Sequence, residues 1–408
     1  MTAIETNDIE PQAQDIPGDL ARYHRQMLLP GFGEEGQRKL LGATALVVGC
    51  GALGTVIANM LARAGVGHLI IVDRDFIEMT NLQRQVLFDE DDVANAIPKA
   101  EAAKRKIAKI NSQVIVSAVV DDVNHTNIEW LAGVKPDGSD AVESPAGKKV
   151  DIIVDGVDNF ETRYLANDCA VKHGIPYVYG GAVGTVGASY PILPHTAERS
   201  SDTAEPASAG RGLGNTPWEQ QNRATPCLRC IFEQAPPPGL NPTCDTAGVI
   251  GPAVSIVANF QVLETLKILT GNLDAVSPTM LNLDLWGNTV RQFKVAKAYD
   301  ISDCRCCHHR DFEFLDGKFA SGTTTLCGRN AVQITQKLGD GQKLDFAEIT
   351  KRLEQHGSVN GSKFMLRADI TDNGEPYELT LFTDGRAIIK GTQKPSVAKS
   401  IYAKYVGA

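Results

Sequence analysis

The fold is decided by Ala43-Thr44-Ala45-Leu46-Val47-Val48-Gly49-Cys50-Gly51-Ala52-Leu53-Gly54. The apolar run Ala43–Val48 predicts a strand, Leu53–Ala64 predicts a helix, and the turn between them reads G-x-G-x-x-G. Glycines permit a tight turn and close backbone approach to a phosphate, and the helix N-terminus adds N–H groups and a positive dipole end. The next apolar run, His68–Asp73, closes on an acid about 20 residues beyond the loop, the spacing that lets a carboxylate accept from ribose hydroxyls. Gly49, Gly51, Ala52, Gly54 and Asp73 are therefore the candidate nucleotide-binding residues. The bland alternative is a glycine turn of purely structural use, and a dinucleotide dehydrogenase is the default owner of such a loop.

Outward from this unit, short apolar runs alternate with amphipathic segments. A helix is predicted over Lys99–Ile110, strands over Val114–Val120 and Asp151–Val157, a helix over Phe160–His173, and strands over Tyr177–Tyr179 and Ala188–Leu193. Such alternation implies βαβ units and a doubly wound, Rossmann-like α/β sheet. Residues 1–20 read as a disordered lead-in, 135–148 as a loop, and the Ser/Thr/Gly/Pro-rich 195–226 as a long mobile loop insertion. An apolar helix (Pro252–Leu269) and a strand pair (Thr279–Leu285, Thr289–Val295) follow. The first domain then spans 21–311, and 312–408 reads as a small α+β domain. Its expected elements are a strand at Phe312–Leu315, a helix after Cys327, a helix Phe346–His356, strands Lys363–Ala368, Tyr377–Phe382 and Arg386–Lys390, and a helix Ser396–Tyr405.

With 408 residues, 43% hydrophobic and 22% charged, the chain is long enough for two or three globular domains. No uninterrupted apolar stretch approaches a membrane span, and the acidic, polar first 19 residues do not resemble a secretory signal. A net charge of -9 argues against general nucleic-acid binding. Nine cysteines make an odd number for a disulfide framework, and six fall between 227 and 307. That distribution points to metal binding or thiol chemistry in a reducing cytoplasm.

Cations and carboxylates separate ATP from a dinucleotide. Arg22, Arg25 and Gln26 precede the first strand, Asn81-Leu82-Gln83-Arg84-Gln85 follows the Asp73 strand, and Lys99 opens the next helix. An NAD site has no need of several cations, whereas attack at the α-phosphate of ATP builds negative charge that they stabilise. Asp155 and Asp158 sit with Asn159 at the carboxyl end of a strand, where open α/β sheets bind ligands and where a carboxylate suits magnesium.

Cys227-Leu228-Arg229-Cys230 and Cys304-Arg305-Cys306-Cys307 form two C-x-x-C pairs, the pattern of a four-thiolate structural zinc site. Cys227, Cys230, Cys304 and Cys307 are the expected ligands, free or redox thiols being the alternative. Cys306 could stand in for a neighbour, but only Cys304 and Cys307 keep the x-x spacing. His308 and His309 read as surface residues, and Cys50 and Cys169 as packing residues.

The segment Arg22-Tyr23-His24-Arg25-Gln26, the Gly49–Gly54 loop, Asn81–Gln85, Lys99 and Asp158-Asn159, in that order across about residues 20–310, resemble the ThiF/MoeB/HesA adenylyltransferases, relatives of the ubiquitin-activating enzymes. The resemblance implies ATP-dependent adenylation of the C-terminal glycine of a small ubiquitin-like sulfur carrier ending in Gly-Gly, of the ThiS or molybdopterin-synthase kind. By motif, Asp73 would hold the ribose, with Asn81, Gln85 and Asn159 also lining the nucleotide. Arg84 and Lys99 would stabilise the phosphates, Asp158 would hold magnesium, and Arg25 would reach across a homodimer interface as an arginine finger. The family pattern has Gly-x-x-Lys where this chain has Ala96-Ile97-Pro98-Lys99. Cys244 lies on what resembles the family's crossover loop, where a cysteine links covalently to the carrier in some members and is dispensable in others. A thiol near a helix N-terminus has a lowered pKa, so Cys244 is either a catalytic nucleophile, fed by a sulfurtransferase donor, or a non-essential thiol. The C-terminal domain does not resemble a rhodanese, and Cys327 reads as a helix-opening thiol that is either structural or a sulfur acceptor. A dehydrogenase and a non-catalytic carrier-binding scaffold are the rival readings.

Overall fold

Thr44–Val48 forms β1, buried on both faces, in the computed structural model, which describes residues 18–196, 216–233, 248–318, 323–326, 330–335, 344–372 and 374–406. Two-sided burial explains why this strand reads as a continuous apolar run instead of an alternation. β2 (His68–Val72) and β4 (Ile152–Asp155) pair with β1 in parallel on opposite sides. β3 (Ile115–Val119) extends the sheet beyond β2, and β5 (Tyr177–Val183) beyond β4, again in parallel. β6 (Val186–Ile192), β7 (Thr279–Asp284) and β8 (Thr289–Lys294) add antiparallel strands, giving the order β3-β2-β1-β4-β5-β6-β7-β8. The order reverses between β1 and β4, and the carboxyl ends of strands at such a reversal are where ligands bind.

Helices cover both faces. On one lie α1 (Gly33–Gly42), α2 (Ala52–Ala64), α3 (Lys99–Ile110) and α5 (Gly251–Thr270), around a core that includes Leu40, Ile57, Leu61, Ile107 and Val257. On the other, α4 (Phe160–His173) packs Tyr164, Leu165 and Cys169 with the cysteine-rich segments. α5 has the length and apolarity of a membrane span, with a mean hydropathy of 1.3. It is nevertheless the core helix, packed on α2, β5 and β6, and its buried Gln261 donates to the carbonyls of Asp155 (2.8 Å) and Val178 (3.2 Å).

A six-stranded antiparallel sheet follows, built from β9 (Thr323–Leu326), β10 (Ala331–Thr335), β11 (Gly357–Gly361), β12 (Met365–Asp372), β13 (Glu375–Phe382) and β14 (Arg386–Lys390). Its order is β11-β12-β13-β14-β10-β9. One face carries α6 (Phe346–Leu353) and α7 (Pro395–Tyr405), with Val332, Ile334, Leu353, Leu381, Ile389 and Ile401 between them. The other face meets Phe76 of the nucleotide domain.

Four expectations need correction. The helix expected after Cys327 is the strand β10, because Ala331–Thr335 pairs with β14 through residues far along the chain. Phe312–Leu315 is a turn, with Phe314 against Tyr164 at 5.1 Å between ring centres. Within the loop expected at 195–226, residues 217–220 form a short helix capped by Thr216, with Trp218 buried and donating to Pro194 O at 2.9 Å. Of the expected lead-in, Gly18–Leu20 form a turn with Leu20 fully buried. Residues 1–17, most of 195–215, Cys244 and Cys327 lie outside the described residues.

Candidate functional site

The glycine loop crosses the carboxyl end of β1. Gly49 adopts φ +87°, and a Cβ there would stand 2.8 Å from Gly156 O, so both its conformation and its packing exclude a side chain. A Cβ at Gly54 would overlap Gly49 O. A Cβ at Gly51 would meet only Gly156 O, at 4.0 Å, so the α2 N-terminus is left uncrowded for a ligand to approach. Gly156, at the end of β4, donates to Val48 O at 2.8 Å and closes the loop from below. Gly156 lies between Asp155 and Asp158, with nothing in the sequence to mark it beyond that position.

Asp73 follows β2 and holds the loop in place, Oδ2 accepting from Cys50 N at 2.6 Å and Oδ1 from Asp75 N at 2.7 Å. Burial pushes its carboxyl above the usual carboxylate range, and the Lys99 charge works against that shift. Lys99 opens α3, is buried, and places Nζ 3.0 Å from Asp75 Oδ2. Arg74 contributes a further cation, paired with Asp122 at 2.9 Å. Burial opposes the Arg74 charge, and the carboxylates of Asp122, Asp75, Asp158 and Asp73 outweigh it and raise its pKa. Asp75 and Arg74 were missed from sequence; the only available signal was the acid-base-acid run from 73 to 75.

The remaining predicted residues separate into groups. Asp158 and Asn159 are exposed at the end of β4, and Asn159 Oδ1 caps α4 by accepting from Thr162 N at 2.9 Å. Asp155, three residues earlier, is instead internal: it accepts from Arg163 Nε (3.1 Å), Tyr177 OH (3.0 Å) and Val157 N (3.0 Å). That carboxylate is not available to a metal. Asn81 is buried and accepts from Glu78 N in a reciprocal cap, and Gln85 is buried beside it. Arg84 is half-buried and donates to Thr80 O at 2.9 Å, next to the start of α5 at Gly251.

Arg25 is not brought to this loop. It is exposed on the short helix His24–Met27, whose Gln26 donates to Ala64 O at 2.7 Å, at the far end of α2. A helix of 13 residues spans about 20 Å, so Arg25 cannot meet a phosphate bound at its own loop.

Cys227, Cys230, Cys304 and Cys307 converge on the α4 face, their Sγ atoms all within 4.8 Å of one another. Neighbouring sulfurs stand 3.7 Å (227 to 230), 3.6 Å (227 to 304) and 3.2 Å (230 to 307) apart, too far for disulfides. A tetrahedral zinc with Zn–S bonds of about 2.3 Å requires sulfur separations near this range, so the set fits a structural metal. Asn167 from α4 buttresses it, accepting from Leu228 N at 2.8 Å and donating to Cys306 Sγ at 3.3 Å. Cys306 is thus adjacent to the cluster but turned onto α4, and burial pushes its thiol up to about 12. His309 is exposed, whereas His308 is half-buried and packs edge-on to Tyr299.

Residues 23–306 match the ThiF family. The chain is similar to the sulfur carrier protein ThiS adenylyltransferase of Bacillus subtilis, 39% identical over 387 residues, covering 95% of this chain and 99% of that protein. It is also similar to the sulfur carrier protein adenylyltransferase of Thermus thermophilus, 37% identical over 253 residues, 62% of this chain and 79% of that one. Among solved structures, that of E. coli MccB with ATP aligns with a TM-score of 0.50 at 22% identity over 72% of this chain and 76% of that one, a likeness of fold alone.

Proposed function

Since this chain belongs to the ThiF family, we propose that it is an adenylyltransferase that uses ATP to activate the C-terminal glycine carboxylate of a small ubiquitin-like sulfur carrier. The observation that carries this reading is the convergence of Lys99, Arg74 and Asp158 on a glycine loop whose acid, Asp73, is already oriented by two backbone amides. A dehydrogenase has no use for those cations, and a scaffold has no use for the set. Identity with the Bacillus relative over nearly its full length makes a ThiS-like carrier the first candidate, ahead of a molybdopterin-synthase small subunit.

The α2 N-terminus would take the phosphates and Asp73 the ribose. A carrier carboxylate oxygen attacks the α-phosphorus, the bond from that phosphorus to the bridging oxygen breaks, and pyrophosphate leaves with the electron pair. The product is an acyl adenylate. The attacking group is already ionised near neutral pH, so no general base is required. Lys99 and Arg84 would stabilise the charge gathering on the leaving group, and catalysis is positioning and electrostatics. Magnesium, when bound, neutralises phosphate oxygens; Asp158, an exposed carboxylate at the strand end, suits it, since this ion takes one or two carboxylates plus phosphate. The four cysteines would hold zinc as a structural ion.

Arg25 would act in trans in a homodimer. The length of α2 between it and its own loop supports this, as do the exposed Leu28 and Leu29 beside it. Cys244 would receive the activated carrier or be spared in favour of a separate sulfurtransferase donor, in the cytoplasm. The test is ATP–pyrophosphate exchange driven by a purified Gly-Gly carrier. Exchange is expected with wild type and lost in Lys99→Met and Asp158→Ala; its absence with every such carrier overturns the reading.

A further inference from the structure

The C-terminal domain sits on Phe76, just beyond the Asp73–Asp75 run that follows β2. Ala331, Met365, Phe382 and Ile388 from its sheet close over Phe76, with the Phe76 and Phe382 ring centres 5.5 Å apart. Phe76 bridges in antiparallel fashion to Pro98, and Lys99 N donates to Asp75 O at 2.9 Å. The segments bearing Asp73 and Lys99 are therefore laced together, and this domain packs on them through Phe76. Polar contacts fix the edges. Arg386, buried, donates to Val120 O at 3.2 Å, while Glu78 faces Arg367 (3.6 Å) and Lys390 (3.5 Å).

One chain of side chains runs from the domain to the site. Gln333 on β10 is buried, and its Nε2 donates to Asp122 Oδ2 at 3.2 Å. The same oxygen is 2.9 Å from Arg74 Nη1, Arg74 Nε is 3.7 Å from Asp75 Oδ1, and Asp75 Oδ2 is 3.0 Å from Lys99 Nζ. We propose that the C-terminal domain completes the nucleotide site, with Gln333 a positioning residue that sets Lys99 through Asp122, Arg74 and Asp75. Apolar packing alone would hold the two domains together; it does not require a buried amide aimed at a carboxylate whose other partner is an active-site cation. Asp122 without Gln333 is free to swing with Arg74, and Asp75 then loses one of the two cations between which it is held. This inference rests on the ATP reading above.

The test uses the full-length chain. Gln333→Leu removes the donor and keeps a buried side chain; Phe382→Leu loosens the contact on Phe76 and serves if the first variant does not fold. Lys404→Ala, whose ammonium pairs with Asp372 on the remote α7 side, is the control. Two quantities are read: reductive methylation of Lys99 followed by mass spectrometry in the absence of nucleotide, and ATP affinity by calorimetry. Faster Lys99 labelling and ATP binding weakened by about three- to thirty-fold are expected, with carrier affinity unchanged and the control unmoved on both. Labelling and ATP affinity both within about twofold of wild type in a folded variant would overturn the proposal, as would weakened ATP binding without any change at Lys99. If wild type binds no ATP, it is the functional reading that fails, and the labelling arm still decides whether Gln333 positions Lys99.

Discussion

Asp155 and Asp158 stand three residues apart at one strand end, yet substituting them should produce opposite effects. Asp155 and Arg163 are buried together, with side-chain exposures of 1% and 8%. Burial pushes the Asp155 carboxyl up and Arg163 pulls it back down, so the pair as a whole need not be a net stabiliser. Removing one partner is a different matter. In Asp155→Ala the guanidinium keeps its bonds to the carbonyls of Val157 (2.8 Å) and Gly180 (3.1 Å) and the faces of Phe160 and Tyr179, but loses its counter-ion. The cost of such an uncompensated buried charge is about 3–5 kcal/mol, a large share of the roughly 5–15 kcal/mol that holds a typical protein folded. Asp158→Ala, at an exposed position, should change stability by less than about 0.5 kcal/mol while lowering pyrophosphate exchange by about two orders of magnitude or more. Guanidinium unfolding of both variants, alongside the exchange assay, separates the roles. The double variant Asp155→Ala/Arg163→Met supplies the check on mechanism, since it removes both charges and should recover most of the lost stability. If the double variant is as unstable as the two single losses added, or if Asp155→Ala stays within about 1 kcal/mol of wild type, the buried-charge account is wrong.

The metal cluster predicts one zinc per chain by elemental analysis, retained in Cys306→Ala and lost in Cys230→Ser, the latter at a cost upwards of about 4 kcal/mol; retention in Cys230→Ser would move the ligand set. If Arg25 acts in trans, equal mixing and re-association of Arg25→Ala with Lys99→Met should restore about a quarter of wild-type exchange, because half the dimers then carry one intact site. Failure to rise above the unmixed variants would exclude that arrangement. His173 is buried against Glu129 (2.7 Å), and burial lowers its pKa despite the carboxylate. The unfolded chain then takes up a proton near pH 6.5 that the folded ring resists, so this contribution is present above that pH and is lost as pH falls through it toward the folded value. Wild type should lose more of its guanidinium midpoint between pH 7 and 5.5 than His173→Gln does; equal losses would remove His173 from the acid response.

Local chemistry made the first half of the chain legible. The strand, glycine turn, helix and acid from Thr44 to Asp73 are contiguous, and α3 and α4 begin where Pro98 and the Asn159 cap fix them. The cysteine spacing likewise announces a cluster whatever the route between the pairs. What the sequence hid is non-local. Gly357–Gly361 has a composition poor for strands and is one only because β12 pairs with it. Ala331–Thr335 looks like the start of a helix until β14, more than fifty positions later, supplies its partner. Asp155 has the same sequence credentials as Asp158, and only Arg163 and Tyr177 folding over it reveal a structural residue. Gln333 gives no signal of its own and Asp75 only the acid-base-acid run it closes, because their significance lies in what they touch.

Ala96 joins the glycine-loop domain to the C-terminal sheet. It occupies the place where the resembling family has glycine, and the backbone explains that glycine: φ at Ala96 is +46°, in the left-handed region that disfavours an L side chain by roughly 1–2 kcal/mol. An exposed alanine there would be a plain loss. Here the methyl group packs against the cluster of Phe76, Ala331, Met365, Phe382 and Ile388, most of which the C-terminal domain supplies. Contact offsets strain, and it does so three residues before Lys99. A chain lacking that domain would have every reason to keep glycine at this position, whereas one in which a second sheet covers Phe76 and Ala96 can place a side chain there and use it as part of the seam.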